Sequence, residues 1–411
     1  MLATILSAGA GVLLLALVQL DIVATVLHPG LESPFSNRLQ RGLWRALRRI
    51  ARRPGGALLT AGFPLMIVSL IFAWLGLLLV GFALLYHPWL GDPRAFTLPT
   101  GARSSWLAAL YFSGTTLSTL GYGDIAPVAW PFRLLAVTEA ASGVVTITLS
   151  VTYLLNVFPA LTRQRALALA LDAETVGHPG GLPLVRRYLG GRHRWEAQFD
   201  ARLRELAGAI LDLTANHESH PILYYAHPRR VEQSVLRVLV TAQGLVGLLR
   251  YGLSPDAHGD LVHNPQVVLL EQALGYSLRH LAASLHTPSA APRDDRALRD
   301  RYAADYRGLC AELERLGLAS SRQGAARPVS VLAAATDDVD LASVTASAAP
   351  GGGRDGRFLD PAIDLTSRSP LDAYVAFRRA TDPLLTAYAA TSGYSLREAT
   401  SDERATWEIE W

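Results

Sequence analysis

The stretch that decides the fold is TLGYGD, residues 119–124, within the longer run ALYFSGTTLSTLGYGDIAP at residues 109–127. Gly121 and Gly123 alternate there with larger residues. Glycine adopts left-handed backbone conformations without the steric cost that a Cβ atom imposes. A backbone that alternates between ordinary and left-handed conformations turns its carbonyl oxygens toward one side. The stretch therefore predicts a row of carbonyl groups aimed at a common axis.

A row of carbonyl oxygens can replace the water of an ion that enters a narrow pore. The Thr119 hydroxyl would add an oxygen at the inner end, and the Tyr122 ring would point away from the axis and brace the loop against Tyr111 and Phe112. The stretch resembles the selectivity filter of potassium channels, whose usual form is TVGYG. The resemblance implies that the permeant potassium ion is bound by Thr119, Leu120, Gly121, Tyr122 and Gly123.

The flanking segments support this resemblance. Residues 104–117 are uncharged and long enough for a short helix that enters the membrane. Residues 54–91 and 140–162 contain no Asp, Glu, Lys or Arg, and each exceeds the ~20 residues that cross a bilayer. The order of outer helix, re-entrant pore helix, filter and inner helix resembles bacterial two-helix potassium channels over residues 56–158. The predicted fold class is an all-α membrane protein.

The chain departs from the family's pattern beside the filter. Asp124 is the family's acidic residue at the outer mouth, where it would bond Trp or Tyr groups and raise the local cation concentration. Many relatives carry a Glu one turn before the filter, whereas this chain has Thr115, so the resemblance does not extend to a carboxylate pair. Ser118 replaces a common Thr and Leu120 a common Val, which changes the packing but leaves the carbonyl chemistry unchanged.

The N-terminal segment, residues 1–27, is mainly apolar, and its one charged side chain is Asp21. We interpret it as an additional transmembrane helix rather than a signal peptide, because no basic residue precedes it and no clean small-residue cleavage site follows. Asp21 lies near the inner end of this helix. Two positions are open for its carboxylate: a tie to the arginines downstream, or an interfacial site near water.

A basic helix is predicted after Ser33-Pro34, since proline favours the first helical position. At ~100° per residue its arginines fall within one arc of about 140°, opposite Leu39, Leu43, Leu47 and Ile50. This pattern predicts an amphipathic helix on a membrane with anionic headgroups. A voltage sensor is the alternative, but residues 54–56 (PGG) end the segment too early. The arginines are Arg38, Arg41, Arg45, Arg48, Arg49, Arg52 and Arg53.

The arginines also predict orientation, because positively charged loops stay cytoplasmic. The N-terminus would lie outside, the filter would open outside, and the C-terminus would be cytoplasmic in a protein of the inner (plasma) membrane. The outer helix is predicted from Leu65 to Tyr86. Trp74 and Tyr86 could be interface anchors or packing residues, and packing is favoured for Trp74.

The inner helix is predicted to begin near Pro131 and to end before Pro159. Gly143 lies nineteen residues after Asp124, where the family has a hinge glycine, but close helix packing explains a membrane glycine equally well. Glu139 would either hydrogen-bond the pore helix or lie in the headgroup layer. The cavity and inner gate would be lined by Val144, Ile147, Val151 and Leu155.

The C-terminal part, residues 160–411, has the character of a helical cytoplasmic domain. Amphipathic spacing predicts helices at 161–173, 195–215, 229–250, 265–285, 294–316 and 370–390. An Ala-, Ser-, Gly- and Pro-rich segment at 320–356 predicts a disordered loop. No GxGxxG follows a strand, so the nucleotide-binding domain of many bacterial potassium channels is not indicated, and no cyclic-nucleotide-binding β-roll is indicated.

Three histidines, His217, His220 and His227, cluster near Pro221. Surface turns are the favoured interpretation over a metal-sensing site, and HESH is not the HExxH of zinc enzymes. Tyr224-Tyr225 is interpreted as core. No nucleophile–base arrangement indicates catalysis.

The composition sets the remaining limits. The chain has 411 residues, a net charge of +3 and no lysine, and its one cysteine, Cys310, excludes an intrachain disulfide. Predicted domains are an N-terminal transmembrane helix (1–29), the basic helix (30–56), the pore (57–159) and the cytoplasmic domain (160–411).

The pattern favours a potassium channel built from four copies of the chain, since four loops are needed to ring an ion. Its gating stimulus would act through the cytoplasmic domain. Neither a cofactor nor a metal beyond potassium is expected, and nucleic acid is not an expected partner. A weakly selective cation channel and a sensor or scaffold with a non-conducting pore are the alternatives.

Overall fold

The computed structural model describes residues 2–27, 33–51, 57–99, 103–190, 195–284, 296–321, 369–394 and 396–400. Two compact units are present. The first is built from the described residues within 1–50, 61–159 and 219–222, and the second from those within 51–60, 160–218 and 223–411. Arg52, Arg53 and all but the first two residues of the predicted loop at 320–356 lie outside the described residues.

The N-terminal half is helical apart from one small sheet. Its helices are α1 (Leu2–Leu27), α2 (Pro34–Ile50), the single turn α3 (Ala57–Thr60), α4 (Gly62–Tyr86), α5 (Trp106–Leu117) and α6 (Trp130–Glu174). A 3-10 turn, His87–Trp89, follows α4 directly. Strands β1 (Phe96–Thr97) and β2 (Ala126–Pro127) pair antiparallel, with Phe96 opposite Pro127.

Helices α1 and α4 pack closely because both carry glycine at the contact. A Cβ atom on Gly11 would lie 2.8 Å from the Gly81 carbonyl oxygen, and one on Gly81 would lie 2.7 Å from Leu15 Cδ2. The Ser7 hydroxyl donates a hydrogen bond to the Leu84 carbonyl at 2.8 Å. Small residues bring membrane helices together in this way, and the predicted N-terminal helix is therefore joined to the outer helix along its length.

Helix α6 is longer than the sequence predicted. The expected end before Pro159 is wrong, because the helix runs on to Glu174 with Pro159 inside it. Proline removes one backbone donor, but membrane helices tolerate it when neighbouring groups satisfy the freed carbonyl. The separate helix predicted at 161–173 is the last part of α6.

The second unit contains the C-terminal part of α6 and the helices that follow. These are α7 (Leu182–Leu189), α8 (Glu196–Ser219), α9 (Val235–Val246), α10 (Pro255–Val262), α11 (Pro265–Ser284), α12 (Arg296–Arg315), α13 (Pro370–Ser392) and α14 (Leu396–Thr400). Helix α9 packs against α7, α11, α13 and α14. The predicted helices at 195–215, 265–285, 294–316 and 370–390 are present as α8, α11, α12 and α13, whereas α7, α10 and α14 were not predicted.

Among the described residues, four helical segments are long and apolar enough to cross a membrane: Thr4–Leu27, Gly62–Trp89, Trp130–Glu174 and Val235–Gly252. The last differs from the others, because 94% of its most apolar window is buried inside the protein against 28–39% for the first three. It consists of α9 and the π-helix Gly247–Gly252 that continues it. Its apolar residues therefore form the core of the second unit.

Candidate functional site

Helix α5 ends directly before the TLGYGD stretch. Ser105 caps its N-terminus, since the side-chain oxygen accepts a hydrogen bond from the Ala108 N–H at 3.1 Å. The helix has 12 residues and no charge, so it is about 18 Å long, which is too short to cross a hydrocarbon core of ~30 Å. This length suits the re-entrant helix predicted at 104–117.

Positive φ angles alternate along the residues that follow. They are 58° at Thr119, 55° at Gly121 and 80° at Gly123. Left-handed conformations at the two glycines agree with the expectation from the sequence, whereas the one at Thr119 was not expected. A residue with a Cβ atom loses about 1–2 kcal/mol in this region, so Thr119 must be held there by its surroundings.

Hydrogen bonds to the end of α5 hold this backbone. The Thr119 N–H donates to the Thr116 carbonyl at 2.9 Å, and the N–H groups of Leu120 and Gly121 both donate to the Thr115 carbonyl, at 2.9 and 3.1 Å. Thr115 is buried, and its hydroxyl donates to the Phe112 carbonyl at 3.0 Å. Thr115 thus anchors the stretch through its backbone carbonyl rather than through a carboxylate.

The stretch itself is exposed in the single chain. Leu120 and Tyr122 have 60% and 68% of their surface accessible, and residues 119–124 are all classed as exposed. The predicted bracing of Tyr122 against Tyr111 and Phe112 stays a prediction. Phe112 lies in an aromatic cluster with Tyr86 and Phe96, with ring centroids 4.9 and 5.4 Å from its own.

Tyr111 and Asp124 come together beside the stretch. The Tyr111 hydroxyl is placed to hydrogen-bond the Asp124 carboxylate, and Tyr111 is itself 42% exposed. This placement is compatible with the predicted bond of Asp124 to a Tyr group. Both side chains are exposed.

One face of α6 carries the residues predicted to line a cavity. Val144, Ile147, Val151 and Leu155 are 50–69% exposed. Apolar side chains at this spacing on an otherwise unpartnered helix face are uncommon in an isolated soluble chain. The face is available to line a pore or to meet another copy of the chain.

Gly143 is buried on a side of α6 that adjoins this exposed face. A Cβ atom there would come within 2.1 Å of the Leu117 carbonyl oxygen at the end of α5. Any side chain would therefore push the two helices apart. The geometry supports the packing interpretation of Gly143, and the hinge interpretation has no support in this structure.

Glu139, one turn before Gly143, is fully buried. Its Oε2 accepts a hydrogen bond from the Tyr86 hydroxyl of α4 at 2.9 Å, and its Oε1 lies 2.5 Å from Ser113 Oγ of α5. Of the two predicted positions the structure supports the one against the pore helix. Of the two roles considered for Tyr86 and Trp74, interface anchor or packing residue, the structure supports packing, since both rings are fully buried.

Asp21 is also buried, so both predicted positions for it are wrong. Its carboxylate accepts a hydrogen bond from Trp74 Nε1 of α4 at 3.0 Å and one from the Ser36 N–H of α2 at 3.3 Å, and it also bonds the Ser36 hydroxyl. Because Ser36 lies in the first turn of α2, the acid meets the positive end of that helix. Asp21 therefore joins α1, α2 and α4.

The basic helix α2 presents its arginines away from α4. Arg38, Arg41, Arg45, Arg48 and Arg49 are exposed, whereas Gln40, Trp44 and Leu47 are buried. Trp44 and Leu47 lie against Gly62, where an added Cβ would be 3.3 Å from each. Ile50, predicted on the apolar arc, is 66% exposed. The remaining arginines, Arg52 and Arg53, lie outside the described residues.

Two of the three histidines, His217 and His227, do not occupy surface turns as predicted, whereas His220 is half-buried outside the helices. His217 and His227 are buried; His217 Nδ1 lies 2.8 Å from the Leu213 carbonyl, and His227 Nδ1 lies 2.9 Å from the Ser392 carbonyl. Burial lowers the pKa of His217 to about 4, although the backbone contact opposes this shift. Within the described ranges no group of three His, Cys, Asp or Glu side chains could hold a metal ion. Tyr224 is buried, as predicted.

Sequence reasoning missed the serines that face the two buried acids. Ser36 lies 15 residues from Asp21, and Ser113 lies 26 residues from Glu139. Neither serine carries a charge or belongs to a motif that would mark it in the sequence. Pairs of a buried acid and a hydroxyl on another helix can be recognised only once the packing of the helices is known.

Residues 66–159 match a family model described as "Ion channel". A protein of Bacillus subtilis (strain 168), described as "Uncharacterized membrane protein YdjJ", is 32% identical to this chain over 260 residues. The aligned region covers 62% of this chain and 72% of that protein. No solved structure matches the chain. The similarity to ion channels thus covers most of α4, α5 and the part of α6 in the first unit.

Proposed function

This chain belongs to the family of the Bacillus subtilis membrane protein YdjJ and carries an ion-channel domain, and on that premise we propose that it conducts potassium passively across the inner membrane. It is an all-α membrane protein, and an ion-channel domain indicates a protein that is not an enzyme. Potassium selectivity is the specific part of the proposal.

The observation that carries the proposal is the backbone of TLGYGD. Three alternate residues, Thr119, Gly121 and Gly123, have positive φ. The N–H groups of residues 119–121 donate hydrogen bonds to the end of α5. Backbone carbonyls freed in this way can coordinate a dehydrated cation. A short uncharged helix that ends at the stretch supplies the setting for such a filter.

A homotetramer follows from the need to surround an ion with four such loops. The exposed Tyr122 and the exposed α6 face at Val144, Ile147, Val151 and Leu155 support this assembly, because subunit contact would cover them. The proposed partners of the chain are three further copies and anionic lipid headgroups at the α2 arginines. Potassium is the permeant ion, and no cofactor or nucleic acid is part of the proposal.

The proposed orientation places α2 on the cytoplasmic side, since arginine-rich segments are retained there. The N-terminus is then outside, and the second unit is cytoplasmic. We propose that this unit biases the gate by a coupling free energy of about 1–3 kcal/mol. A chain ending after Glu174 should conduct with unchanged selectivity and an open probability altered by about tenfold. An unchanged open probability would assign the unit another role.

The decisive experiment is ion flux in liposomes that contain the purified chain. An outward potassium gradient should drive flux, with potassium passing far better than sodium. Gly121→Ala should abolish it, because the left-handed backbone at φ 55° disfavours a Cβ atom. A Cβ there would meet no atom within 4 Å, so a loss would not come from a clash within the chain.

Gly76→Ala is the matched control. Gly76 lies in α4, a Cβ there also meets nothing within 4 Å, and no positive φ is present at this position. Its flux should match the wild type. Equal passage of sodium and potassium by the wild type would favour a weakly selective cation channel, and no flux from correctly inserted protein would favour a sensor or scaffold.

A further inference from the structure

Behind the TLGYGD stretch, oxygen atoms from three helices meet in a site closed to solvent. We call it the Glu139 cluster: Glu139 of α6, Ser113 of α5, and Tyr86 and the Leu79 carbonyl of α4. Glu139 and Ser113 are fully buried, and so is the Tyr86 ring.

The hydrogen atoms available to the cluster can be counted. Ser113 Oγ lies 2.9 Å from the Leu79 carbonyl oxygen and 2.5 Å from Glu139 Oε1. A serine hydroxyl carries one proton, so it can donate to only one of these oxygens. The Tyr86 proton is already directed at Glu139 Oε2. An ionised Glu139 would therefore leave one short oxygen–oxygen contact without a proton.

The charge of the site leads to the same conclusion. In the described part of the chain Glu139 has no ion-pair partner, and the titratable group that faces it is Tyr86. An unpaired carboxylate in a buried, apolar setting is costly. A neutral acid removes this cost and also supplies the missing proton.

We propose that Glu139 is a neutral carboxylic acid that donates its proton to Ser113 Oγ, while Ser113 donates to the Leu79 carbonyl and Tyr86 donates to Glu139. The result is a closed relay of hydrogen bonds from α4 through α6 and α5 back to α4. Each contact then holds one proton.

Glu139 acts on the filter as a positioning residue, an assignment that rests on the proposed function. Ser113 lies two residues before Thr115, whose carbonyl holds the N–H groups of Leu120 and Gly121. One turn after Glu139, Gly143 contacts the end of α5. The inner helix thus contacts the C-terminal half of α5 at two positions. The Glu139 cluster forms the contact nearer the N-terminus of α6.

The first test is infrared absorption of the full-length protein in lipid at neutral pH. The wild-type spectrum minus that of Glu139→Gln should contain the carbonyl band of a protonated carboxyl group. A difference spectrum with carboxylate bands instead would overturn the proposal. This readout does not depend on conduction, so it remains decisive if the chain is not a potassium channel.

The second test is the ratio of potassium to sodium permeability. Gln can accept from Tyr86 and donate to Ser113, so Glu139→Gln should keep the wild-type ratio, whereas Glu139→Leu should lower it by about tenfold. Ser113→Ala should lower it similarly and serves if Glu139→Leu does not fold. Asp21→Asn removes a buried acid that does not contact α5 and should leave the ratio unchanged.

The two proposals fail in different ways. A wild-type protein that does not prefer potassium would refute the proposed function. A selective wild type whose ratio is unaltered in both Glu139→Leu and Ser113→Ala would refute the positioning role. A ratio lost in Glu139→Gln as well would contradict the neutral acid, because the amide preserves its hydrogen-bonding pattern.

Discussion

Asp21 and Glu139 are two buried acids of the same unit with nearly the same kinds of neighbour. Each is bonded by an aromatic side chain of α4, Trp74 or Tyr86. Each also contacts a serine on a shorter helix, Ser36 of α2 or Ser113 of α5. One acid joins the basic helix to the bundle, and the other joins the pore helix to it.

The difference lies in what else surrounds the serine. Ser36 supplies both its N–H and its hydroxyl to Asp21, so every described contact of that carboxylate comes from a donor. Ser113 stands between Glu139 and the Leu79 carbonyl. The residue types around the two acids are thus alike, whereas the hydrogen-bond donors available to each carboxyl group differ.

The largest expected difference between the two sites appears when each acid is replaced by its own amide. Asp21→Asn turns one acceptor into a donor that must face Trp74 or Ser36, and should lower the free energy of unfolding by roughly 3–4 kcal/mol. Glu139→Gln keeps one acceptor and one donor and should lower it by less than about 1 kcal/mol. Thermal unfolding in one detergent, followed by tryptophan fluorescence, measures both.

An equal loss of unfolding free energy in the two amide variants would contradict the proposed difference between the sites. A larger loss in Glu139→Gln would mean that Glu139, rather than Asp21, depends on accepting hydrogen bonds only.

A third buried ionisable group, His217 in the second unit, extends the comparison to a base. Its Nε2 is buried without a partner, and burial lowers the pKa of His217 to about 4. The unfolded chain binds a proton near pH 6.5 and the folded chain does not. Stability should therefore fall as the pH drops from about 6.5 toward 4, by up to about 3 kcal/mol.

His217→Gln should flatten this dependence, as measured by chemical unfolding of the full chain at several pH values. His263→Gln changes an exposed histidine and should leave it as in the wild type. If the free energy of unfolding of His217→Gln still falls with decreasing pH as in the wild type, other groups cause the pH dependence.

The aromatic donors offer a finer test. Hydrogen bonds to charged groups contribute about 1.5–3 kcal/mol and those between neutral groups about 0.5–1.5. Double-mutant cycles should therefore give a coupling energy of about 2 kcal/mol between Trp74 and Asp21 and about 1 kcal/mol between Tyr86 and Glu139. The variants are Trp74→Phe with Asp21→Asn, and Tyr86→Phe with Glu139→Leu. Coupling that is larger at Tyr86 would argue for a carboxylate at Glu139.

The smallest expected effect per residue is on lipid binding by α2, the helix that Asp21 joins to α1 and α4. Replacing Arg41, Arg45 and Arg48 by Gln should weaken binding of an anionic phospholipid by about 1 kcal/mol per arginine. Titration of a fluorescent lipid into protein held in neutral nanodiscs measures this. Arg186→Gln, an exposed arginine of the second unit, is the control. If the triple variant instead flattened a steep voltage dependence, α2 would be a sensor.

The elements with a strong local signal could be predicted from the sequence. The charge-free runs gave α4 and α5 to within a few residues, and the glycines indicated the left-handed positions at Gly121 and Gly123. Helix α6 was predicted too short because Pro159 is a strong local signal for a helix end. Packing around a long membrane helix overrides that signal.

The contacts of the buried acids could not be predicted, because they join residues far apart in the chain. Asp21 and Trp74 are 53 residues apart, and their pairing depends on how α1 lies against α4. His217 and His227 were misjudged for a related reason. Histidine is common at surfaces, and only the tertiary structure shows that both are buried with Nδ1 against a backbone carbonyl.

The position of α4 between the two acids has a consequence for how the chain is made. Asp21 precedes Trp74 by 53 residues, and Glu139 follows Tyr86 by the same number. At about 5–20 residues per second, the ribosome needs roughly 3–10 s to bridge such a gap. Glu139 emerges after Tyr86 and Ser113 and meets them already in place. Asp21 emerges before its aromatic partner Trp74. During synthesis the N-terminal helix therefore exists for several seconds without the hydrogen bond that α4 later donates to its acid.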